Sequence, residues 1–198
     1  MKRSTLLALA GMAVLAGAGW YATAQQADAR QTVEQRLRVL EDKQAITETI
    51  NKIAVYADRR QWDIVAAQFA PRVLLDYTSY ATASAGTGQP QDLTPQQVVD
   101  AWQTVLPGYD YTQHQVTVHQ ITLQGDRAAV TSNINATHFL QNAPGGDSWI
   151  FVGDYTHELQ RTPQGWKVTR MRANLGAQIG NQQLSELATQ RVKERGRK

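Results

Sequence analysis

Four successive segments in the C-terminal half of the chain alternate between apolar and polar residues with a period of two. Their bounds are residues 112–124, 127–141, 149–161 and 166–173. Short connections rich in Gly, Pro and Asp separate them. Strands joined by such short turns pair as antiparallel neighbours. The sequence therefore predicts a four-stranded antiparallel meander.

The N-terminal half shows helical spacing instead. Residues 32–58 contain no Pro or Gly and repeat apolar residues at intervals of three and four, which predicts a long helix. A second short helix is predicted from Trp62 to Pro71. A strand is predicted from Val73 to Tyr80, and a loop over residues 81–91. Thr94-Pro95-Gln96-Gln97 has the residues of a capping box and predicts the start of another helix.

Helices that precede a meander are typical of an α+β fold. We predict a cone-shaped, curved antiparallel sheet packed against the N-terminal helices, in one domain of residues 36–175. Residues 25–35 are expected to form an N-terminal extension. Residues 176–198, with the basic side chains Arg191, Lys193 and Arg195, are expected to form a solvated polar tail.

The first 24 residues resemble a secretory signal peptide. Lys2 and Arg3 precede an apolar run, and Ala-x-Ala sites end at Ala24 and Ala29, so cleavage is expected after residue 24 or 29. This predicts a secreted or periplasmic protein. The alternative is an uncleaved membrane anchor, because the apolar run is only slightly shorter than the ~20 residues that span a bilayer.

Charge and cysteine content exclude several classes of function. Without residues 1–24 the chain carries 18 basic and 17 acidic side chains, and no basic face of the kind that nucleic-acid binding requires is visible. The absence of cysteine excludes a disulfide framework, a thiolate nucleophile and thiolate metal ligands. Motifs for serine hydrolysis, NTP binding, dinucleotide binding and HExxH zinc chemistry are also absent.

Two histidines of the meander are predicted to face the core. His138 shares its parity with the apolar residues of the second strand, and His114 does so on the first strand if a bulge lies near His119. Asp58, at the end of the long helix, is the predicted partner of His138 in an acid/base dyad. Three alternatives stay open: neutral core histidines, a solvated Asp58, and a metal site of two histidines and one carboxylate.

Aromatic residues supply the predicted binding surface. Tyr77 shares strand parity with apolar neighbours and is expected to polarise a carbonyl or to satisfy a buried polar group. His157 has ambiguous facing and receives no role. The predicted substrate-binding residues are Tyr56, Trp62, Trp102 and Trp149.

The segments Tyr56–Asp63, Phe69–Pro71, Leu75–Tyr77, Thr112–His114 and Gly165–Val168 together resemble SnoaL-like proteins of the nuclear transport factor 2-like superfamily. Scytalone dehydratase and bile acid dehydratases are the similar enzymes. The resemblance implies a cystatin-like roll, catalytic roles for Asp58, Tyr77, His114 and His138, no metal or organic cofactor, and a possible homodimer through the sheet. It also implies that His138 pairs with Asp58. One position departs from the pattern, because Ala57 stands where the family has tyrosine.

These observations predict an exported, cofactor-independent hydro-lyase or isomerase that acts on a small apolar molecule bearing a carbonyl or hydroxyl group. Two other classes remain open. The first is a non-catalytic module that binds a small ligand in the same pocket. The second is an assembly subunit that uses an exposed face of the sheet. Pocket geometry separates these classes.

Overall fold

The computed structural model describes residues 32–80 and 88–196. The predicted signal peptide lies outside the described residues, as do most of the predicted N-terminal extension and of the 81–91 loop. The helices are α1 (Val33–Asp58), α2 (Trp62–Ala66), α3 (Pro95–Gln103) and α4 (Leu184–Arg195). The strands are β1 (Phe69–Asp76), β2 (Gln91–Leu93), β3 (Tyr111–Gln124), β4 (Arg127–Phe139), β5 (Ser148–Thr162) and β6 (Gly165–Gly180). Short 3₁₀ turns cover Thr78–Tyr80 and Leu106–Gly108.

The six strands form one curved, open sheet in the order β2-β1-β6-β5-β4-β3. The predicted meander is confirmed, because β3 to β6 pair successively as antiparallel neighbours. The pair β1 and β6 runs parallel, since the chain segment from β1 to β3 crosses over before the meander begins. The α+β class predicted from the order of the elements is confirmed.

Helix α1 contributes a buried face over its C-terminal half. Ile46, Ile50, Ile53 and Ala57 recur at intervals of three and four and are at most 4 % exposed. Residues 32–42 belong to a separate compact unit, in which Leu37 and Leu40 are exposed. The helix ends at Asp58, at one end of its buried face.

A bulge interrupts β3 between Thr117 and Gln120, as predicted. Val118 there adopts a φ of 53°, a left-handed conformation that is rare for a β-branched residue. The irregularity reverses the parity of the strand, so that Val116 before it and Ile121 after it both pack against the core. The same change of parity turns His119 toward the core side of the sheet.

Strand β1 begins earlier than predicted and ends at Asp76, before Tyr77. Phe69 pairs with Val168 of β6, and the pairing is irregular between Phe69 and Leu74, where Pro71 cannot donate a ladder hydrogen bond. The predicted capping box of α3 is confirmed, with Thr94 and Gln97 bonding reciprocally.

The prediction of a solvated tail over residues 176–198 is wrong for the described part. Strand β6 continues to Gly180, and α4 follows it. Leu184 and Ala188 are 0 % exposed, since they lie one helical turn apart on the packed face of α4. The exposed side of the helix carries residues of both charges, namely Glu186, Lys193, Glu194 and Arg195. None of the helices within residues 32–80 and 88–196 has the length and apolar content needed to cross a membrane.

Candidate active site

A cavity of about 350 Å³ lies between α1, the 3₁₀ turn at Leu106 and the inward face of the sheet. Its walls are mostly aliphatic and aromatic side chains from α1, α3 and the strands. Polar and ionisable side chains supply the rest of the lining, and polar groups set among apolar walls are typical of small-molecule sites. They include Tyr77, Tyr109, His114, His138, Tyr155 and His157.

Asp58 and His114 form a close pair at one wall of this cavity. Nδ1 of His114 lies 2.7 Å from Oδ1 of Asp58, and the backbone N–H of His114 donates to Oδ2 at 2.7 Å. The two side chains are 16 % and 14 % exposed. A carboxylate accepts from a protonated Nδ1, which leaves Nε2 as the nitrogen with a free lone pair. The pair therefore has the arrangement of an oriented general base.

Thr112 and Arg60 support the Asp58 carboxylate through a chain of two hydrogen bonds. The hydroxyl of Thr112 donates to Oδ1 of Asp58 at 2.8 Å, and Nη1 of Arg60 donates to that hydroxyl oxygen at 2.9 Å. Arg60 also donates to the carbonyl oxygens of Ala57 and Leu106. Its φ of 58° turns the chain sharply after α1, which directs the guanidinium back toward the helix end.

Burial by itself raises the pKa of Asp58, but the hydrogen bonds and charge of His114 together with the Thr112 hydroxyl hold the pKa below its usual value. Asp58 is therefore an anion at neutral pH. Burial and, to a smaller extent, the neighbouring His114 lower the pKa of His138 to about 3, and the opposing effect of Asp58 is smaller than that of His114. His138 is neutral at physiological pH.

The structure pairs Asp58 with His114, and the predicted dyad of Asp58 with His138 is wrong. The physical reason is the position of β3 at the edge of the sheet, where an outward backbone N–H is available to the carboxylate. His138 lies one strand further in, opposite Thr112. Its ring meets His114 edge to face at 5.3 Å and stacks on Trp149 at 4.6 Å.

Three of the other predicted residues line the cavity, namely Tyr77, Trp102 and Trp149. Two do not. Tyr56 packs against the core beside Arg59, whose guanidinium lies 5.7 Å from the ring centre. Trp62 packs against the core from α2, away from the cavity. Helix geometry explains why Tyr56 does not line the cavity although the next residue, Ala57, does, because adjacent side chains on a helix point about 100° apart.

Sequence reasoning missed several residues of the site. Thr112 and Arg60 lie in segments that carry the resemblance but have no predicted role, and only the hydrogen bonds from Arg60 to Thr112 and from Thr112 to Asp58 reveal one. Tyr109 comes from the segment after the 3₁₀ turn, and its ring lies 4.9 Å from that of His138. The parity of β5 offered a signal for His157, since Trp149, Phe151, Tyr155 and His157 all face the cavity.

The arrangement of donors around Asp58 bears on the metal alternative. Both carboxylate oxygens accept hydrogen bonds from protein groups, and Nδ1 of His114 is occupied by one of them. A metal ion would have to displace these donors. Within the described ranges, no group of three or more His, Cys, Asp or Glu side chains is arranged to hold a metal ion.

A family model described as "SnoaL-like domain" matches residues 38–172. The chain belongs to the SnoaL-like domain family. The predicted resemblance is thereby confirmed, together with the nuclear transport factor 2-like fold. A comparison with curated proteins found no match.

Solved structures of low sequence identity share the fold. The Kfla4162 protein from Kribbella flavida is 24 % identical, with a TM-score of 0.66 over 76 % of this chain and 98 % of that chain. Hexachlorocyclohexane dehydrochlorinase LinA-type3 from Novosphingobium barchaimii LL02 is 16 % identical, with a TM-score of 0.62 over 74 % and 94 %. A Novosphingobium aromaticivorans structure named "Putative Scytalone Dehydratase" is 16 % identical, with a TM-score of 0.59 over 72 % and 89 %.

Proposed function

We propose that this SnoaL-like protein is a cofactor-independent lyase that eliminates water from a small, mostly apolar molecule carrying a carbonyl group and a β-hydroxyl group. The observation that carries the proposal is the contact of 2.7 Å between His114 Nδ1 and Asp58 Oδ1 at the wall of an apolar cavity. Similar structures named as a dehydratase and a dehydrochlorinase support the reaction class.

His114 is the proposed general base. Asp58 holds the Nδ1 proton, so the lone pair of Nε2 is available to the ligand in the cavity. The anionic Asp58 also stabilises the imidazolium that forms when Nε2 takes a proton. Thr112 and Arg60 keep the carboxylate in place and act on the reaction only through Asp58.

Charge develops on the carbonyl oxygen of the substrate as its α-carbon loses a proton. His138 is neutral and buried beside His114, so one of its ring nitrogens carries a proton and can donate to that oxygen without adding a full charge. Tyr77 follows β1, toward the other end of the strand order from β3 and β4, and also lines the cavity, so it provides a second candidate donor.

The proton that His114 removes from the substrate is the one that it later returns to the leaving group. The α C–H bond breaks, its proton moves to Nε2 of His114, and the electron pair forms the new C=C bond as the C–O bond to the β-hydroxyl breaks. The imidazolium then gives its proton to the departing hydroxide, which leaves as water. One group serves first as base and then as acid, and the products are the unsaturated ketone and water.

The test uses 3-hydroxy-1-tetralone, whose loss of water yields 1-naphthol after tautomerisation. We expect the full-chain protein to accelerate the appearance of 1-naphthol fluorescence, and His114→Asn and Asp58→Asn each to lower the rate about 10² to 10⁴-fold. His119→Gln is the matched control, because His119 bonds Ser132 and Asn51 and does not line the cavity. Equal rates in the wild type and the His114 variant would refute the proposal.

A binding module without catalysis is the second candidate, and the same apolar cavity favours it. The experiment separates the two. A protein that binds the tetralone, protects it from solvent and releases it unchanged is a binding module. Conversion that depends on both His114 and Asp58 identifies the lyase.

We further propose export with cleavage after residue 24 or 29, from the pattern of Lys2, Arg3, the apolar run and the two Ala-x-Ala sites. Intact-mass analysis of the processed protein tests this. A mass that corresponds to a chain beginning at Gln25 or Arg30 supports cleavage. A protein in the membrane fraction that retains Met1 supports an anchor.

A further inference from the structure

A row of aromatic side chains connects His138 to a second histidine in the same cavity. Trp149, Phe151, Tyr155 and His157 occupy alternate positions of β5, and all four line the cavity. The ring of Tyr155 stacks on Phe151 at 6.5 Å and meets His157 edge to face at 5.7 Å. The cavity wall therefore continues along β5 beyond the candidate catalytic pair.

The two histidines lie at opposite ends of this wall. His138 is paired in register with Trp149, and His157 with Val130, eight residues away along β4. Eight residues of extended strand span at most about 26 Å, and the curvature of the sheet shortens the direct path. A ligand that reaches from one histidine to the other must be elongated. Between them the walls offer mainly Ala136, Phe151 and aliphatic residues of α1.

His157 is a polar group without sufficient partners. Its side chain is 1 % exposed, and Nδ1 has no hydrogen-bond partner among the described residues. Burial lowers the pKa of His157 to about 3, with a further contribution from the neighbouring His119, so the ring is neutral. Leaving a buried polar atom unsatisfied costs on the order of 1–3 kcal/mol, which a bound ligand with a suitable group can recover.

We propose that His157 is a second recognition site in the cavity, and that it binds a hydroxyl group at the far end of an elongated, otherwise apolar ligand. A hydroxyl both donates and accepts, so it fits Nδ1 in either tautomer of the neutral ring. The inference deepens the proposed lyase function and rests on it for the identity of the reacting end, near His114. The substrate class is a molecule with polar functions at both ends of a flat apolar body.

Binding of matched probes tests the site without turnover. The probes are 4-hydroxybiphenyl and 4,4'-dihydroxybiphenyl, with 4-hydroxystilbene and 4,4'-dihydroxystilbene as a longer pair. In isothermal titration calorimetry with the full chain, we expect His157→Phe to reduce the affinity ratio of dihydroxy to monohydroxy probe about tenfold in the pair whose length fits. His119→Gln should leave the ratio as in the wild type.

A measurement on the wild-type protein tests the same site without requiring that the His157→Phe variant folds. The ¹⁵N chemical shifts of the His157 ring should change when the dihydroxy probe binds and stay as in the free protein with its monohydroxy counterpart. Unchanged ratios in both pairs, or identical His157 shifts with both probes, would overturn the proposal and leave a buried water as the partner of Nδ1.

The outcomes for the two proposals are distinguishable. The probes carry no carbonyl group and undergo no elimination, so the preference for the second hydroxyl persists in the His114→Asn protein if His157 binds it. A loss of that preference alone refutes the His157 site, whereas a failure to dehydrate 3-hydroxy-1-tetralone with the preference intact refutes the lyase.

Discussion

The hydroxyl of Thr112 lies 2.8 Å from Oδ1 of Asp58. Because Arg60 donates to the hydroxyl oxygen, the hydroxyl proton is directed to the carboxylate. Thr112 therefore helps to orient Asp58 and adds to the stronger effect of His114 in keeping it ionised, without lining the cavity itself. It is a positioning residue whose effect on the reaction passes through Asp58 and His114.

Replacing this hydroxyl tests the positioning role. We expect Thr112→Val to lower kcat about tenfold with little change in KM, because one hydrogen bond to a charged group contributes about 1.5 kcal/mol or more. Thr112→Ser keeps the hydroxyl and should restore most of kcat. Kinetics with 3-hydroxy-1-tetralone measure both values. Equal losses in the Val and Ser variants would indicate a packing role for the methyl group instead.

Chelation should leave the activity unchanged. Asp58 already accepts hydrogen bonds on both oxygens, and the proton moves between the substrate and His114 without another acid. We expect protein dialysed against EDTA to dehydrate the tetralone at the rate of untreated protein. A rate that EDTA abolishes and added Zn²⁺ or Fe²⁺ restores would contradict this expectation and favour the metal alternative.

The parity of apolar residues is enough to predict the meander, the bulge near His119 and the inward facing of His114 and His138. It cannot decide which histidine contacts Asp58. Both lie on adjacent strands, two residues apart in register, since His138 pairs with Thr112. The choice depends on the left-handed turn at Arg60 and on the free edge of β3, which are tertiary features.

The C-terminal helix escaped prediction for a different reason. Its sequence is rich in charged and polar residues, and only Leu184 and Ala188 mark its packed face strongly. The prediction that Tyr56 and Trp62 bind substrate is wrong for a related reason, because it rests on their aromatic character alone. Composition alone does not distinguish a core aromatic residue from one that lines a cavity.

Stability should depend on pH because two histidines are buried in neutral form. Burial lowers the pKa values of His138 and His157 to about 3 in the folded protein, against about 6.5 in the unfolded chain. Below pH 6.5 the unfolded state binds more protons, so stability is present at neutral pH and is lost as pH falls. From pH 7.5 to 5.5 we expect the free energy of unfolding to fall by roughly 2 to 3 kcal/mol.

Urea denaturation at the two pH values measures this loss. His157→Phe removes one of the two most strongly shifted groups and should reduce the loss by up to about half, since burial also lowers the pKa of His119. The carboxyl groups of Asp58, Asp76 and Asp110, whose pKa values lie below the usual value, contribute to pH dependence only in more acidic solution. A free energy of unfolding that is constant between pH 7.5 and 5.5 would mean that the histidines are not buried as described.

Helix α4 should support the site although it lies outside the cavity for most of its length. Gly108 packs directly on the backbone of Ala188, and Arg191 forms an ion pair of 2.7 Å with Asp110. These contacts hold the 3₁₀ turn at Leu106, whose carbonyl oxygen accepts from Arg60. Loss of the packing of α4 is therefore expected to disturb the position of Asp58, because the turn at Leu106 accepts from Arg60 and Arg60 bonds Thr112.

Leu184→Ala tests this connection, because Leu184 is 0 % exposed. We expect a loss of about 2 to 5 kcal/mol in the free energy of unfolding, from the lost burial and the remaining space. Leu187→Ala, at a half-buried position of the same helix, should cost clearly less. At a temperature where the Leu184→Ala protein is still folded, its kcat should also fall, since the turn at Leu106 loses its support. A variant as stable and as active as the wild type would show that residues 184–195 are the solvated tail that their composition suggests.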